Sequence, residues 1–165
     1  MIQNHTLENA NNNTLYLEVL KKFRIIFGTV KQHFREVEQS CGISGSQLWI
    51  IQLVNNSPNI GVSFLAEQLS IHQSTCSLLV EKLVKRKLIT KVRSTKDQRR
   101  VGLEVTNEAK SLLNKAPGPA EGALPNALAV LPENVLMDLN YSLGKIIAEL
   151  ENRDNEFAYE PLSNL

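Results

Sequence analysis

Between Lys82 and Arg100 stand Lys82, Lys85, Arg86, Lys87, Lys91, Arg93, Lys96, Arg99 and Arg100, half of the chain's 18 Lys and Arg, with Asp97 as the sole acid in the run. Cations packed this densely neutralise phosphates, and the counterions they release make binding salt-dependent without reading sequence. A solvated charged face has the same composition, so the run points to a polyanion only if the chain beneath it presents an element of groove width. Just upstream, Gln73, Ser74, Thr75 and Ser77 are short or amide-bearing side chains of the kind that exchange hydrogen bonds with base edges. His72 precedes them, placed either to touch phosphate or to cap a helix.

Other chemistry finds less support. There is no Gly-rich phosphate loop, nucleophile elbow or metalloprotease helix, so no enzyme is expected. His5, His33 and His72 share no metal-ligand spacing with one another or with Cys41 and Cys76, so neither a metal nor a cofactor is expected. Cys76 falls on an inward helical position and reads as a core thiol. Cys41, near a helix end and open to solvent on this reading, leaves redox sensing as an alternative, although no neighbouring motif would lower its pKa. Trp49, with Phe27, His33 and Phe34 near it, reads either as core or as the lining of an effector pocket. No apolar run is long enough for a membrane span and the start, Met1 to His5, lacks the basic flank and apolar stretch of a signal peptide, so a cytoplasmic protein with free thiols is expected.

The elements that must position these groups follow from periodicity. Residues 1–14, rich in Asn, offer little to bury and are expected to form a flexible tail. From Leu15, apolar residues recur every three or four positions through Val19, Phe23, Ile26, Val30, Phe34 and Val37, which predicts one long helix closed by Gly42. Ser44 and Gln47 match a capping box at the start of a second helix, and the turn-rich stretch around Pro58 ends it. Two short helices follow, joined at Ser70-Ile71-His72, the second running near residues 72–87 with Cys76, Leu79, Val80 and Leu83 inward. The period then changes to alternation: Leu88 to Arg93 and Arg100 to Val105 read as paired strands around a polar hairpin tip. Thr106 opens a further helix, the Pro and Gly cluster from Pro117 to Pro125 kinks or breaks it, and a last helix begins at Pro132 and reaches Leu150. Residues 152–165 read as a polar, loosely held C-terminal tail.

Helix, tight turn, helix and basic hairpin is the order of a winged helix-turn-helix. Its second helix enters a major groove, so an apolar inner side with polar groups near the amino end is what that task requires. Lys82, Lys85 and Arg86 lie further along, placed for flanking phosphates. At the hairpin tip Arg99 or Arg100 is placed for the electronegative minor groove, with Lys96 beside them and Asp97 as a brace to Arg93 or Arg99.

In these residues the chain resembles the MarR family of transcriptional regulators over about Leu20 to Leu150. Arg93 through Arg100 followed by Leu103-Glu104-Val105-Thr106 is similar to the family's wing, with its Asp-x-Arg motif and helix-opening Thr. Phe64 to Leu69 with Gln73 to Ser77 is similar to its two central helices, and Leu83 to Ile89 to the exit of the recognition helix. Leu78 stands where many members carry Arg, and Lys87 where Gly is common.

The resemblance implies a mainly α fold with a small β-hairpin wing, in a domain of residues 15–151. Within it, 44–105 form the winged helix-turn-helix, and 15–40 and 106–151 supply the helices of a homodimer. It further implies binding to a pseudo-palindromic operator in double-stranded DNA, as a repressor relieved by a small aromatic or phenolic effector. Dimerisation has an independent physical case, since the first and last helices would otherwise leave apolar stripes in water. A winged-helix module for protein-protein assembly without DNA is the remaining alternative, and Leu78 is the one apolar anchor it would offer.

Overall fold

Gly42 and Ser44 mark where the first helix stops and the second starts. In the computed structural model, which describes residues 2–93 and 101–165 with side chains from residue 14 onward, α1 spans Ile2–Cys41. There follow α2 (Gly45–Asn56), α3 (Val62–Leu69), α4 (Gln73–Lys85), β1 (Ile89–Arg93), β2 (Val101–Val105), α5 (Asn107–Lys115), α6 (Ala123–Ala129) and α7 (Glu133–Glu149). Two 3-10 turns close the chain, at Asn155–Tyr159 and Leu162–Asn164.

Local chemistry accounts for most of these boundaries. Gly42, at φ 66°, donates its N–H to Glu38 (2.8 Å) and ends α1. Ser44 then caps α2 reciprocally with Gln47: the Ser hydroxyl accepts the Gln47 N–H and the Gln side chain accepts the Ser44 N–H (3.1 Å). Ser70 takes a left-handed conformation that turns the chain from α3 into α4. Thr106 ties two elements together, since its hydroxyl accepts the Ala109 N–H (3.3 Å) at the start of α5 and donates to the Lys87 carbonyl (3.0 Å) at the exit of α4. The Pro and Gly cluster breaks the helical path outright, with α5 ending at Lys115 and α6 starting at Ala123. Pro132 sits one position earlier than a first-turn residue, as the cap before Glu133.

The hydrophobic core lies in the helix-turn-helix head and the lower end of α1. Val37, Leu48, Ile51, Leu65, Leu83 and Leu103 are essentially inaccessible to solvent. Side chains of this size each contribute about 1.5–3 kcal/mol when buried. The hairpin pairs antiparallel in the register Ile89 with Val105 and Arg93 with Val101. A third segment reinforces it: Asn59 donates its N–H to the Leu103 carbonyl (2.9 Å), and the Leu103 N–H donates to the Ile60 carbonyl (3.1 Å). Gly102 permits that approach, because a Cβ there would stand 2.8 Å from the Asn59 Cα.

Two sequence expectations need correction. The backbone is helical from Ile2, with no break at the expected tail boundary near residue 14; no Gly occurs before Gly28 and no Pro before Pro58 to interrupt the helix. Residues 152–165, expected to be loosely held, are instead seated on the head. Pro161 is buried, and the Ser163 hydroxyl meets that of Ser46 at 2.9 Å. The segment carries Phe157, Tyr159, Pro161 and Leu162 among its polar residues, enough apolar surface to seat two short turns.

The upper half of α1 and the whole of α7 remain apolar and open. Ile25 and Phe27 are each 68% exposed, Met137 is 66% exposed, and α7 buries no residue at all.

Candidate nucleic-acid interface

The second helix of the turn, α4, buries Cys76, Leu79, Val80 and Leu83 and turns its other side outward. Gln73 and Ser74 at its amino end are exposed and Thr75 is half-buried, so the polar groups singled out in the sequence share the outer side of one helical turn. Ser77 is half-buried and donates its hydroxyl to the Gln73 carbonyl (2.8 Å), so its lone pairs, not its proton, face outward. Leu78, 65% exposed, projects beside them as an apolar contact of the kind a thymine methyl accepts.

The basic residues divide by what holds them. Lys82 and Lys85 are exposed on α4 and form no ion pair among the described residues. Arg86 is exposed too, but its guanidinium donates to the Gly42 carbonyl, clamping the exit of α4 to the end of α1. Lys91 on β1 pairs with Glu81 on α4, a brace between helix and hairpin that sequence reading did not anticipate. Arg93 ends β1 and is exposed. Lys96, Asp97, Arg99 and Arg100, the other wing candidates, lie outside the described residues.

His72 is the cap residue of α4, yet its side chain makes no capping bond. Its Nε2 lies 3.0 Å from Glu156, its ring packs at a tilt against Tyr159 (centroids 4.9 Å apart), and its N–H donates to the Tyr159 carbonyl (3.3 Å). The C-terminal segment therefore holds the start of α4.

Beside that contact a cavity of about 340 Å³ opens between α1, α2, the α3–α4 joint and the C-terminal segment. Phe34 and Trp49 line it. Phe27 and His33 do not. Phe27 packs on Phe23 (centroids 6.1 Å apart), away from the head, because seven residues of helix carry it about 10 Å up the axis from Phe34. His33 is buried under the turn at Gly118 and Gly122, and its Nε2 has no hydrogen-bond partner among the described residues.

Cys41 is also buried, at 6% exposure, with its thiol directed at the Leu112 carbonyl (3.7 Å), which corrects the expectation of an open thiol. Burial raises its pKa, with Lys115 partly offsetting. Burial pushes the Cys76 thiol up from 9.0 to about 11. Among the described residues no three His, Cys, Asp or Glu gather as a metal-ligand set, and no helix is long and apolar enough to cross a membrane.

A two-stranded wing behind a buried two-helix turn, with long helices before and after, defines a winged helix-turn-helix protein. Residues 43–101 match the model of the MarR family. The chain is 20% identical over 143 residues to the HTH-type transcriptional repressor MdtR of Bacillus subtilis, covering 86% of this chain and 92% of the relative. Among solved structures, the regulator BldR of Sulfolobus solfataricus superposes with a TM-score of 0.53 at 24% identity, over 82% of this chain and 96% of that one. FabT of Streptococcus pneumoniae, determined in complex with DNA, superposes with a TM-score of 0.52 at 19% identity, over 79% of this chain and 94% of that one. The family consists of transcriptional regulators, not enzymes.

Proposed function

We propose that the chain binds double-stranded DNA sequence-specifically as a homodimer on an approximately palindromic operator, and that it acts as a repressor relieved by a small aromatic effector. One observation carries the proposal: the polar turn Gln73-Ser74-Thr75, exposed at its first two residues, stands on the outer side of a helix whose inner side is locked in the core, with Lys82 and Lys85 exposed further along the same helix. Pinning a recognition helix in this way aims its first turn at base edges while Lys82 and Lys85 lie along the phosphates. The match to a relative named as a repressor and the likeness to a fold seen on DNA support the reading.

The open faces of α1 and α7 support pairing. Their apolar residues have no partner within the described chain large enough to cover them. Two-fold pairing buries such faces and doubles the DNA contacts. Analytical ultracentrifugation is expected to return a dimer.

Randomised-site selection followed by mobility-shift titration tests the DNA reading. Ser74→Ala or Thr75→Ala is expected to change base preference at fixed positions in each half-site. Lys85→Ala is expected to weaken binding evenly across sequences and to lower the salt slope by about one. Arg99→Ala is expected to weaken binding while leaving dimerisation and folding intact. Selection that returns no enriched sequence would overturn the proposal.

A further inference from the structure

We propose that the cavity beneath the C-terminal segment is a site for a small aromatic cation, a quaternary ammonium or protonated amine, in preference to an anion. The inference rests on reading this cavity as the effector site and adds the charge of what it takes. Its walls are mostly apolar, and three aromatic residues, Phe34, Trp49 and Phe157, line it from α1, α2 and the C-terminal segment. Its only ionisable lining groups are Glu121 and Glu160, from the turn before α6 and from the link between the two 3-10 turns. Both are half-buried, and neither carboxylate has an ion-pair or hydrogen-bond partner among the described residues.

Carboxylates half-withdrawn from water beside an apolar wall attract a cation more strongly than they would in bulk solvent, and repel an anion by the same physics. Aromatic faces reinforce the preference, since the ring quadrupole attracts quaternary ammonium groups and offers nothing to a carboxylate. About 340 Å³ lies within the range of drug-sized sites. The far wall is the seated C-terminal segment, held by Ser163 on Ser46 and by Tyr159 and Glu156 on His72.

Trp49 is the single Trp of the chain, so its emission reports occupancy without a label. The full-length protein is titrated, in the absence of DNA, with berberine, a planar quaternary cation, and with 1-anilinonaphthalene-8-sulfonate, an anion of comparable apolar character. Saturable quenching by berberine at least tenfold tighter than by the anion is expected. The E121Q/E160Q double variant is expected to lose about tenfold or more in berberine affinity and none for the anion, with unchanged circular dichroism. Equal affinities for the two probes, undiminished berberine binding by the double variant, or no saturable berberine binding each overturn the proposal. A mobility shift run on the same preparations keeps the readings apart: operator binding without cation binding overturns this inference alone, and cation binding without DNA binding overturns the regulator reading while this one stands.

Discussion

The ring of Tyr159 packs at a tilt of 41° against the ring of His72, their centroids 4.9 Å apart, so that a residue six places from the end of the chain rests on the cap of α4. The His72 N–H donates to the carbonyl of the same tyrosine, which makes the contact two-point. The adjoining pair His72–Glu156 is exposed on both sides, 44% and 74%, and solvent screens it.

The ring contact should therefore outweigh the His72–Glu156 hydrogen bond. Tyr159→Ala is expected to lower stability by about 0.5–1.5 kcal/mol, the range of an aromatic pair, and Glu156→Gln by less. Hydrogen exchange should locate the effect, with protection of the Gln73 to Cys76 amides falling in Tyr159→Ala and changing little in Glu156→Gln. Equal losses in the two variants would show that the ring contact is not the anchor.

Gly102→Ala should loosen the wing. Its new methyl would stand 2.8 Å from the Cα and 2.9 Å from the carbonyl oxygen of Asn59, which is backbone and cannot swing aside. Overpacking of this kind costs about 1–3 kcal/mol, and the Asn59–Leu103 bond should weaken with it. Urea unfolding measures the loss, and an unchanged midpoint would show that the Asn59 segment yields freely.

Lys87 holds φ at 59°, a left-handed conformation that glycine adopts without strain. A side chain there costs about 1–2 kcal/mol, while glycine adds back some freedom to the unfolded chain. Lys87→Gly is therefore expected to raise stability by a net of up to about 1 kcal/mol. A lower melting temperature in the variant would mean that the lysine stem contributes packing that outweighs the strain.

Both thiols should be inert in the folded protein. Iodoacetamide at neutral pH is expected to label neither Cys41 nor Cys76 quickly, and both once the protein is denatured. Rapid native labelling of Cys41 would restore the redox reading. The pH dependence has a definite sign. Folded Cys76 keeps its proton to about pH 11, whereas the unfolded thiol gives it up near 9.0. In that window the folded state binds more protons than the unfolded one, so stability falls as pH rises. Cys76→Ala should flatten the fall, and an unchanged slope would assign it to other groups.

What the sequence determined by itself is everything set by neighbours along the chain. The end of α1 at Gly42, the reciprocal cap of Ser44 and Gln47, the Thr106 cap and the inward set Cys76, Leu79, Val80 and Leu83 depend on residues three or four apart, so spacing alone reveals them. The polar first turn of α4 is legible for the same reason. Tertiary structure decided what distance along the chain conceals. The Glu81–Lys91 brace, the Arg86 clamp on Gly42, the seating of residues 152–165 on His72 and the meeting of Glu121 with Glu160 at one cavity join segments ten to more than eighty positions apart. Helical period groups Phe27 with Phe34 on one face, yet says nothing of how far along that face the head reaches, so Phe34 lines the cavity and Phe27 stands in the open. Local hydrogen bonds and rotamer preferences act within a turn of helix, whereas burial and ion pairing depend on which distant surfaces the folded chain brings together.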